Sequence, residues 1–547
     1  MELDQVARLK RYFFLGKLVP VYAPRKADGL LEDFDSVKQL LAGIDGDSFL
    51  ALVKSQTQRD EIQLPRRNEV WFAYAVYLST CERAEDRKKV YQAFPELAGS
   101  AEDMFTIVHY ATLIQNKKGS KGLSRTVRKA LTLWYKSKSE SELVAMFEKN
   151  RGMYGLRHKD LIALSHINME KVELSCLHGA LFKPAAKALV ENENLEPAKW
   201  KDPLCQERLK KILELKTCKD PARACELIRS DKLSAGSVPS GLLRKPEVWQ
   251  ALIPQMNYSE LLSCIFPLTD LKVIGHRVLS GQLIKEIGNV SSLKAAHVSP
   301  VTMLIHAKKL QTKKRYSEKK KAMYYAEKVK RNNIKDNPLV GSKVMSMFKS
   351  SFDHLQPKLG LKLFIAINLQ TSYATKSVIN QTQVNCTEAA IALALTYFRS
   401  EAHVDVYKYT PMQTVLEKLN WAQGISYDDA QAICMSKQSP KNAQRLFVPL
   451  WDAMKKKEVY DVFLIIVPSA ARGNPSCKPD KLIQNLIDYR TNMKNERTRF
   501  IVVNLRRYSP SMIHDQTKIH DNGILEICGF GDKTINIINA FATHLFS

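Results

Sequence analysis

The period at which apolar residues recur changes once along the chain, and this change limits the fold more than any other feature. From about residue 30 to residue 335 they recur every three or four positions, as in LLEDFDSVKQLLAGI and KPEVWQALIPQM, which is the period of an amphipathic helix. Short polar breaks or breaks with proline and glycine separate the helices. Successive helices of this kind predict an α-solenoid, and the lack of a clean repeat period favours HEAT-like repeats over a tetratricopeptide array.

After about residue 360, apolar segments of strand length alternate with helical segments. We expect strands at 362–370, 404–409, 460–469, 499–507 and 524–530. This alternation predicts a parallel, doubly wound sheet that binds ligands at the carboxyl ends of its strands. We therefore divide the chain into a helical domain, 1–355, and an α/β domain, 356–547.

The charge balance points to a polyanionic partner. Lysine and arginine number 83 against 56 acids, a net charge of +27 whose self-repulsion a polyanion would offset. Nucleic acid and an anionic membrane surface are the leading partner classes. Residues 361–547 carry a net charge of +6, which leaves +21 on residues 1–360, so we expect the polyanion to meet the helical domain.

The sequence does not have the features of a secreted, membrane-spanning or zinc-binding protein or of a hydrolase. Lys17 interrupts the apolar run near the amino terminus, which therefore resembles neither a signal peptide nor a membrane span. The ten cysteines form no CxxC pair, so we expect reduced thiols and no structural zinc. The sequence has no GxSxG or HExxH motif. We expect a soluble, intracellular protein that is not an enzyme.

Two basic segments dominate the helical domain. The first, residues 117–138, has eight cations and no acid, and Leu123, Val127, Ala130, Leu131 and Trp134 form an apolar stripe along it. A solvated helix face normally includes acids, so their absence favours phosphate contact. The candidate residues are Lys117, Lys118, Lys121, Arg125, Arg128 and Lys129.

The second basic segment, residues 306–335, carries twelve cations and two acids, with Tyr316, Tyr324 and Tyr325 between them. Tyrosine rings can stack on unpaired bases, which is typical of a nucleic-acid-binding arm. A solvated linker between the two domains is an equally good interpretation.

Residues 149–168 combine four lysines and arginines and two histidines with one acid, Asp160. A helix that begins near Lys159 would separate His158 from His166 by two turns, about 12 Å, which is too far to share one zinc ion. We interpret the segment as a phosphate-binding surface at a helix N-terminus, although one packed histidine among solvated cations is the alternative. The candidates are Lys149, Arg151, Arg157, His158, Lys159 and His166.

Several long blocks of the sequence resemble the Ro autoantigen family. They are LKRYFFLG, SRTVRKALTLWY, RHKDLIALSHIN, KPEVWQALIPQM and ILEICGFGDKTINIINAF, and their order and spacing agree along nearly the whole chain. The resemblance implies a ring of HEAT-like helical repeats, the TROVE module, closed by a von Willebrand factor A domain.

The resemblance also implies a function. Family members bind small Y RNAs on the outer basic face of the ring and single-stranded ends of misfolded noncoding RNAs in its hole, as ribonucleoproteins of RNA quality control. By position, Lys149 and His166 match a family lysine and histidine implicated in RNA binding. A family arginine falls on Met153, with Arg151 as the nearby alternative, and Arg125, Arg128 and Lys129 fall in the basic helix. We expect a monomeric ring in the cytoplasm, and a location in the nucleus as well is compatible with the resemblance.

The A domain of this family commonly carries a metal-ion-dependent adhesion site that starts with DxSxS. Here Asn368, Gln370 and Ser372 occupy those positions. Asn442 and Ala443 replace the Gly and Thr of the second loop, and Pro468 or Ser469 replaces a later Asp. Because Mg²⁺ prefers carboxylate oxygens, we expect no divalent metal and no other cofactor. The alternative to an RNA-binding function is a protein-interaction scaffold that acts through this A domain.

Overall fold

The architecture is that of a computed structural model, which describes residues 3–23, 27–58, 66–120, 122–149, 152–167, 202–311, 337–356, 359–369, 376–409, 415–436, 445–468, 479–507 and 521–546. The helices of the first domain are α1 Gln5–Leu15, α2 Phe34–Ala42, α3 Gly46–Thr57, α4 Arg67–Thr80, α5 Ala84–Leu97, α6 Ala101–Lys117, α7 Arg125–Lys136, α8 Glu140–Lys149, α9 His158–Ser165, α10 Pro203–Thr217, α11 Pro221–Asp231, α12 Pro246–Leu252, α13 Tyr258–Asp270, α14 Arg277–Ile287, α15 Val290–Ala295, α16 Pro300–Gln311 and α17 Pro338–Ser350. Among the described residues, no helix has the length and apolarity needed to cross a lipid bilayer.

The first helices pack in two rows, as the predicted solenoid requires. In one row α4 packs against α2 and α6, and in the other α5 packs against α3 and α7, which in turn contacts α9. Helix α4 lies between two neighbours, and its residues 69–78 are all buried. Each helix therefore buries its apolar surface against the next ones along the chain.

Polar side chains fix where these helices begin. The Asp45 carboxylate accepts a hydrogen bond from the backbone N–H of Ser48 at 2.9 Å, and α3 starts there. The Ser100 hydroxyl accepts one from the N–H of Asp103 at 3.1 Å at the start of α6. Such caps satisfy N–H groups that have no partner inside the helix.

The strands of the structure are β1 Val21–Tyr22, β2 Leu363–Ile367, β3 Ser377–Val378, β4 Gln381–Asn385, β5 Val404–Tyr409, β6 Leu416–Lys418, β7 Val462–Val467, β8 Arg499–Asn504 and β9 Ile524–Cys528. The helices of the α/β domain are α18 Cys386–Ser400, α19 Tyr427–Ser436, α20 Val448–Lys456, α21 Pro479–Met493 and α22 Thr534–Ala542. The described strands form a seven-stranded sheet in the order β1-β9-β8-β7-β2-β5-β6 and a separate hairpin, β3-β4. All five predicted strands are confirmed.

Helices cover both faces of this sheet. Leu363, Ile365 and Ile367 of β2 pack into a core with α18 and α22. Phe364 and Ala366, which point the other way, pack into a second core with α20 and α21. The doubly wound α/β domain is confirmed, and the pairing of all strands but β6 in this sheet is parallel.

The helical domain begins and ends at the α/β domain. Strand β1 adds a parallel edge to β9, and the Phe14 ring stacks on that of Phe546 with their centroids 4.8 Å apart. At the other end, α16 contacts α18, and Lys308 forms an ion pair with Glu388. The row of helices thus closes into a ring through the α/β domain, as predicted.

Candidate nucleic-acid interface

His158 begins α9 but lies inside the protein. Its side chain is 3% exposed, its Nδ1 lies 2.9 Å from the Tyr135 hydroxyl, and its ring meets that of Phe105 edge-on at 4.8 Å. Burial lowers the pKa of this imidazole to about 4, so it is neutral at pH 7. The prediction that His158 binds phosphate is therefore wrong, and the alternative of a packed histidine is correct for this residue.

The N-terminus of α9 already has an anion of its own. The Asp160 carboxylate accepts hydrogen bonds from the backbone N–H of Arg157 at 2.9 Å and from its Nε at 3.2 Å. This acid compensates the positive end of the helix, so the helix N-terminus is a weaker phosphate site than we predicted. The Arg157 side chain is nevertheless exposed, and Lys159 is partly buried.

His166 and Lys149 both face solvent. His166 follows the last residue of α9 in a left-handed conformation, φ 54°, so its exposed side chain does not continue the predicted stripe of His158 and Ile162. Lys149 is the exposed last residue of α8. These two residues, which the resemblance assigns to RNA, are accessible to a polyanion.

A buried acid holds the end of α8 in place. Glu148 is 2% exposed, and its carboxylate accepts hydrogen bonds from Arg208 Nη2 of α10 and from the backbone N–H of Ser234, both at 2.7 Å. The next residue, Lys149, is rotated by about 100° around the helix from this anchored acid and is exposed.

The cations of the first basic segment differ in their contacts. Lys117 Nζ lies 3.1 Å from an Asp35 carboxylate oxygen, and Lys118 Nζ donates to the Ser79 carbonyl at 2.8 Å. The inference that these cations lack acidic partners is wrong for Lys117, because its acid comes from another helix. Arg128 is partly buried, and its Nε donates to the Leu123 carbonyl at 3.0 Å.

Helix α7 supplies further exposed cations of this segment. Its predicted apolar stripe is confirmed, because Val127, Ala130, Leu131 and Trp134 are buried. Arg125 and Lys129 lie on the exposed side. Lys121, Arg151, Gln370, Ser372, Asn442, Ala443, Ser469 and residues 312–335 of the second basic segment lie outside the described residues.

Asn368, the described residue at the position of the adhesion site, does not fit a divalent metal. Asn368 follows β2 and is 2% exposed, and its side-chain amide has no hydrogen-bond partner among the described residues. A neutral amide stands here in place of the carboxylate that a hard dication prefers. The described ranges also contain no group of three His, Cys, Asp or Glu side chains placed to hold a metal.

An aromatic pair that the sequence did not predict includes a residue of the segment 149–168, Tyr154. Tyr154 lies in the turn between α8 and α9, is 42% exposed, and stacks on His109 of α6 with ring centroids 4.1 Å apart and planes 8° apart. The only local signal was an aromatic residue before a glycine, Tyr154-Gly155, in a basic segment.

Comparison with known proteins gives concordant results for the two domains. Residues 362–542 match the family model described as the Ro60 vWA domain. The RNA-binding protein RO60 of Caenorhabditis elegans is 20% identical over 492 residues, which cover 82% of this chain and 71% of that protein. The crystal structure of the Deinococcus radiodurans RO (RSR) protein shares the fold, with a TM-score of 0.75, 17% identity and 99% of each chain covered. Residues 362–542 are thus similar to the A domain of Ro60, and the chain as a whole has the fold of a Ro protein.

Proposed function

We propose that this protein binds RNA as a ribonucleoprotein component, holding small Y RNA-like noncoding RNAs and the single-stranded ends of misfolded noncoding RNAs. The observation that carries the proposal is the set of exposed lysine, arginine and histidine side chains on consecutive elements of the ring. They are Arg125, Lys129, Lys149, Arg157 and His166. The relative from Caenorhabditis elegans that is named an RNA-binding protein supports the same class.

The proposed mechanism is electrostatic and requires no covalent step. Lysine and arginine side chains displace counterions from phosphates, so the affinity falls as salt rises. A ring with a narrow opening would admit a single strand and exclude a folded duplex, which selects RNA by shape rather than by sequence. We accordingly propose a binding protein without enzymatic activity and without a metal cofactor.

The double substitution Lys149→Ala with His166→Ser tests the site. We expect a lower affinity for structured RNA with a single-stranded tail and a shallower salt dependence, by about 0.7 to 0.9 in log–log slope for each phosphate that the variant no longer neutralises. Filter binding over a series of salt concentrations measures both quantities.

The matched control is Lys294→Ala with His297→Ser. His297 is also an exposed histidine with a positive φ, 49°, after the end of a helix, α15, and Lys294 is an exposed lysine of that helix. This control should keep full affinity. Equal affinity of the two double variants and the wild-type protein would refute the assignment of Lys149 and His166.

A scaffold that acts through the A domain is the second candidate. Trp451 of α20 and Ile487 of α21 are 43% and 47% exposed on two helices of that domain that contact each other, where a protein partner could cover them. The salt titration separates the two candidates. Weak RNA binding that is indifferent to a single-stranded tail would favour the scaffold.

A further inference from the structure

A tight turn between α8 and α9 holds a tyrosine in an unfavourable backbone conformation. Met153 and Leu156 exchange backbone hydrogen bonds, at 3.0 Å and 2.9 Å. Between them, Tyr154 and Gly155 both have positive φ, 55° and 77°. Two-residue turns of this kind prefer Asn-Gly, because a bulky residue with positive φ is strained. The tyrosine is therefore not explained by the turn itself.

The surroundings of the Tyr154 side chain explain its place better. One face of the ring lies against the imidazole of His109 on α6, nearly parallel to it, and the hydroxyl is 3.5 Å from that of Thr106 on the same helix. These contacts fix the plane of the ring against the helical wall. Since one face is covered and the residue is still 42% exposed, the other face is open to solvent.

Cationic residues lie close to Tyr154 along the chain. Gly152 packs against the backbone and side chain of Arg157, whose guanidinium is exposed, so the turn and this arginine are direct neighbours. Lys149 and Lys159 lie five residues before and after Tyr154 in the chain. Asp160, the one acid of the segment, is paired with Arg157. An aromatic face among cations suits a base whose flanking phosphates meet the positive charges.

We propose that Tyr154, supported by His109, is a stacking platform for one unpaired base of bound RNA. This inference rests on the proposed RNA-binding function and deepens it. The platform accepts any of the four bases, because each has a π face, so it adds affinity for unpaired RNA without sequence preference. A base inside a duplex is already stacked on its neighbours and gains nothing from it.

Two substitutions separate the ring from the turn. Tyr154→Asn removes the ring and places a residue that tolerates positive φ, so the turn is retained. Tyr154→Phe keeps the ring and removes only the hydroxyl. Thermal unfolding should show that both variants are folded, because relief of the backbone strain in Tyr154→Asn offsets the lost contacts with His109 and Thr106.

The binding test compares a uridine decamer with the same backbone made of abasic nucleotides. We expect Tyr154→Asn to bind the uridine decamer about 5- to 100-fold more weakly than the wild-type protein and the abasic strand with unchanged affinity. Tyr154→Phe should behave as the wild-type protein does. The salt slope should stay the same in both variants, because the same phosphates remain neutralised. Photo-crosslinking with 5-iodouridine should attach RNA to the peptide that contains Tyr154.

Failure of the stacking platform and failure of the proposed RNA-binding function would give different results in this test. If the wild-type protein binds the uridine decamer and Tyr154→Asn binds it equally well, the platform is refuted and the RNA-binding function stands. A Tyr154→Phe variant as weak as Tyr154→Asn also refutes the platform, because the hydroxyl would then be the contact. If the wild-type protein binds neither this decamer nor a structured RNA with a tail, the platform and the proposed function fall together.

Discussion

Two histidines at opposite ends of α9 differ in their exposure to solvent. His158 can be buried because Tyr135, 23 residues earlier on α7, provides a polar partner for its Nδ1. His166 ends the helix and faces solvent. Spacing along the sequence predicted that the two could not share a metal, but it could not predict which one is packed, because that depends on a contact between helices.

Burial of His158 should make the stability of the protein depend on pH. The pKa of His158 is about 4 in the folded protein and about 6.5 in an unfolded chain, so the unfolded chain binds more protons between these values. The contribution is fully present above pH 6.5 and is lost as pH falls towards 4, a change of about 3 kcal/mol.

Urea unfolding of the wild-type protein and His158→Gln from pH 7.5 to 4.5 measures this contribution. The variant should lose less stability on acidification. His544, whose pKa burial also lowers to about 4, remains in both proteins and cancels in the comparison. Identical pH profiles would mean that His158 is not held neutral.

Asn368 leads to a prediction about metal ions. Because the residue after β2 is an amide rather than a carboxylate, we expect Mg²⁺ and Mn²⁺ to leave the melting temperature of the protein unchanged. Differential scanning fluorimetry with each ion, and with EDTA as the reference, measures the effect. A clear rise with either ion would show that the remaining loop residues supply enough oxygen ligands.

Among the strands, the length of the apolar run determined which ones could be predicted from the sequence. Strands β2, β7 and β8 are five or six residues long and fully buried, so each left a continuous apolar run in the sequence. Strand β1 has two residues and β6 has three, which is too short for any periodicity. Their places depend on partners elsewhere in the chain, and β1 pairs with β9, about 500 residues later.

In the candidate site, too, some features of the helices could be predicted from the sequence and others could not. The amphipathic pattern of α7 predicted which of its faces carries Arg125 and Lys129. The pattern could not predict that Lys117 meets Asp35 of α2 or that Tyr154 meets His109 of α6, because these contacts follow from the packing of neighbouring helices. Sequence periodicity gives the orientation of a helix, and tertiary packing gives its partners.

At the scale of the whole molecule, a buried charged cluster lies where the ring closes. Arg499 of β8 donates to both carboxylate oxygens of Asp521, at 2.7 Å and 2.9 Å, and its Nη2 lies 2.7 Å from His544 Nδ1. Arg11 of α1, which is fully buried, interacts electrostatically with the same carboxylate. Asp521 therefore offsets cations from both domains.

Replacement of this acid should weaken the closure of the ring. We expect Asp521→Asn to lower the free energy of unfolding by about 3 kcal/mol, because two buried guanidinium groups lose their counter-charge. Urea unfolding measures the loss. The control is Asp353→Asn, which removes an exposed partner of Arg399 and should cost under about 1 kcal/mol. Equal, small losses in the two variants would contradict a role of the cluster in closure.

The pairing of β1 with β9 also has a consequence for how the protein is made. During translation, residues 21–22 leave the ribosome hundreds of residues before the strand that they join. Throughout that interval the nascent helices form an open arc with an unpaired end, and the loop that must finally close is among the longest that this chain can form. An RNA strand present at that stage would meet the arc from the side and would not have to thread a finished hole.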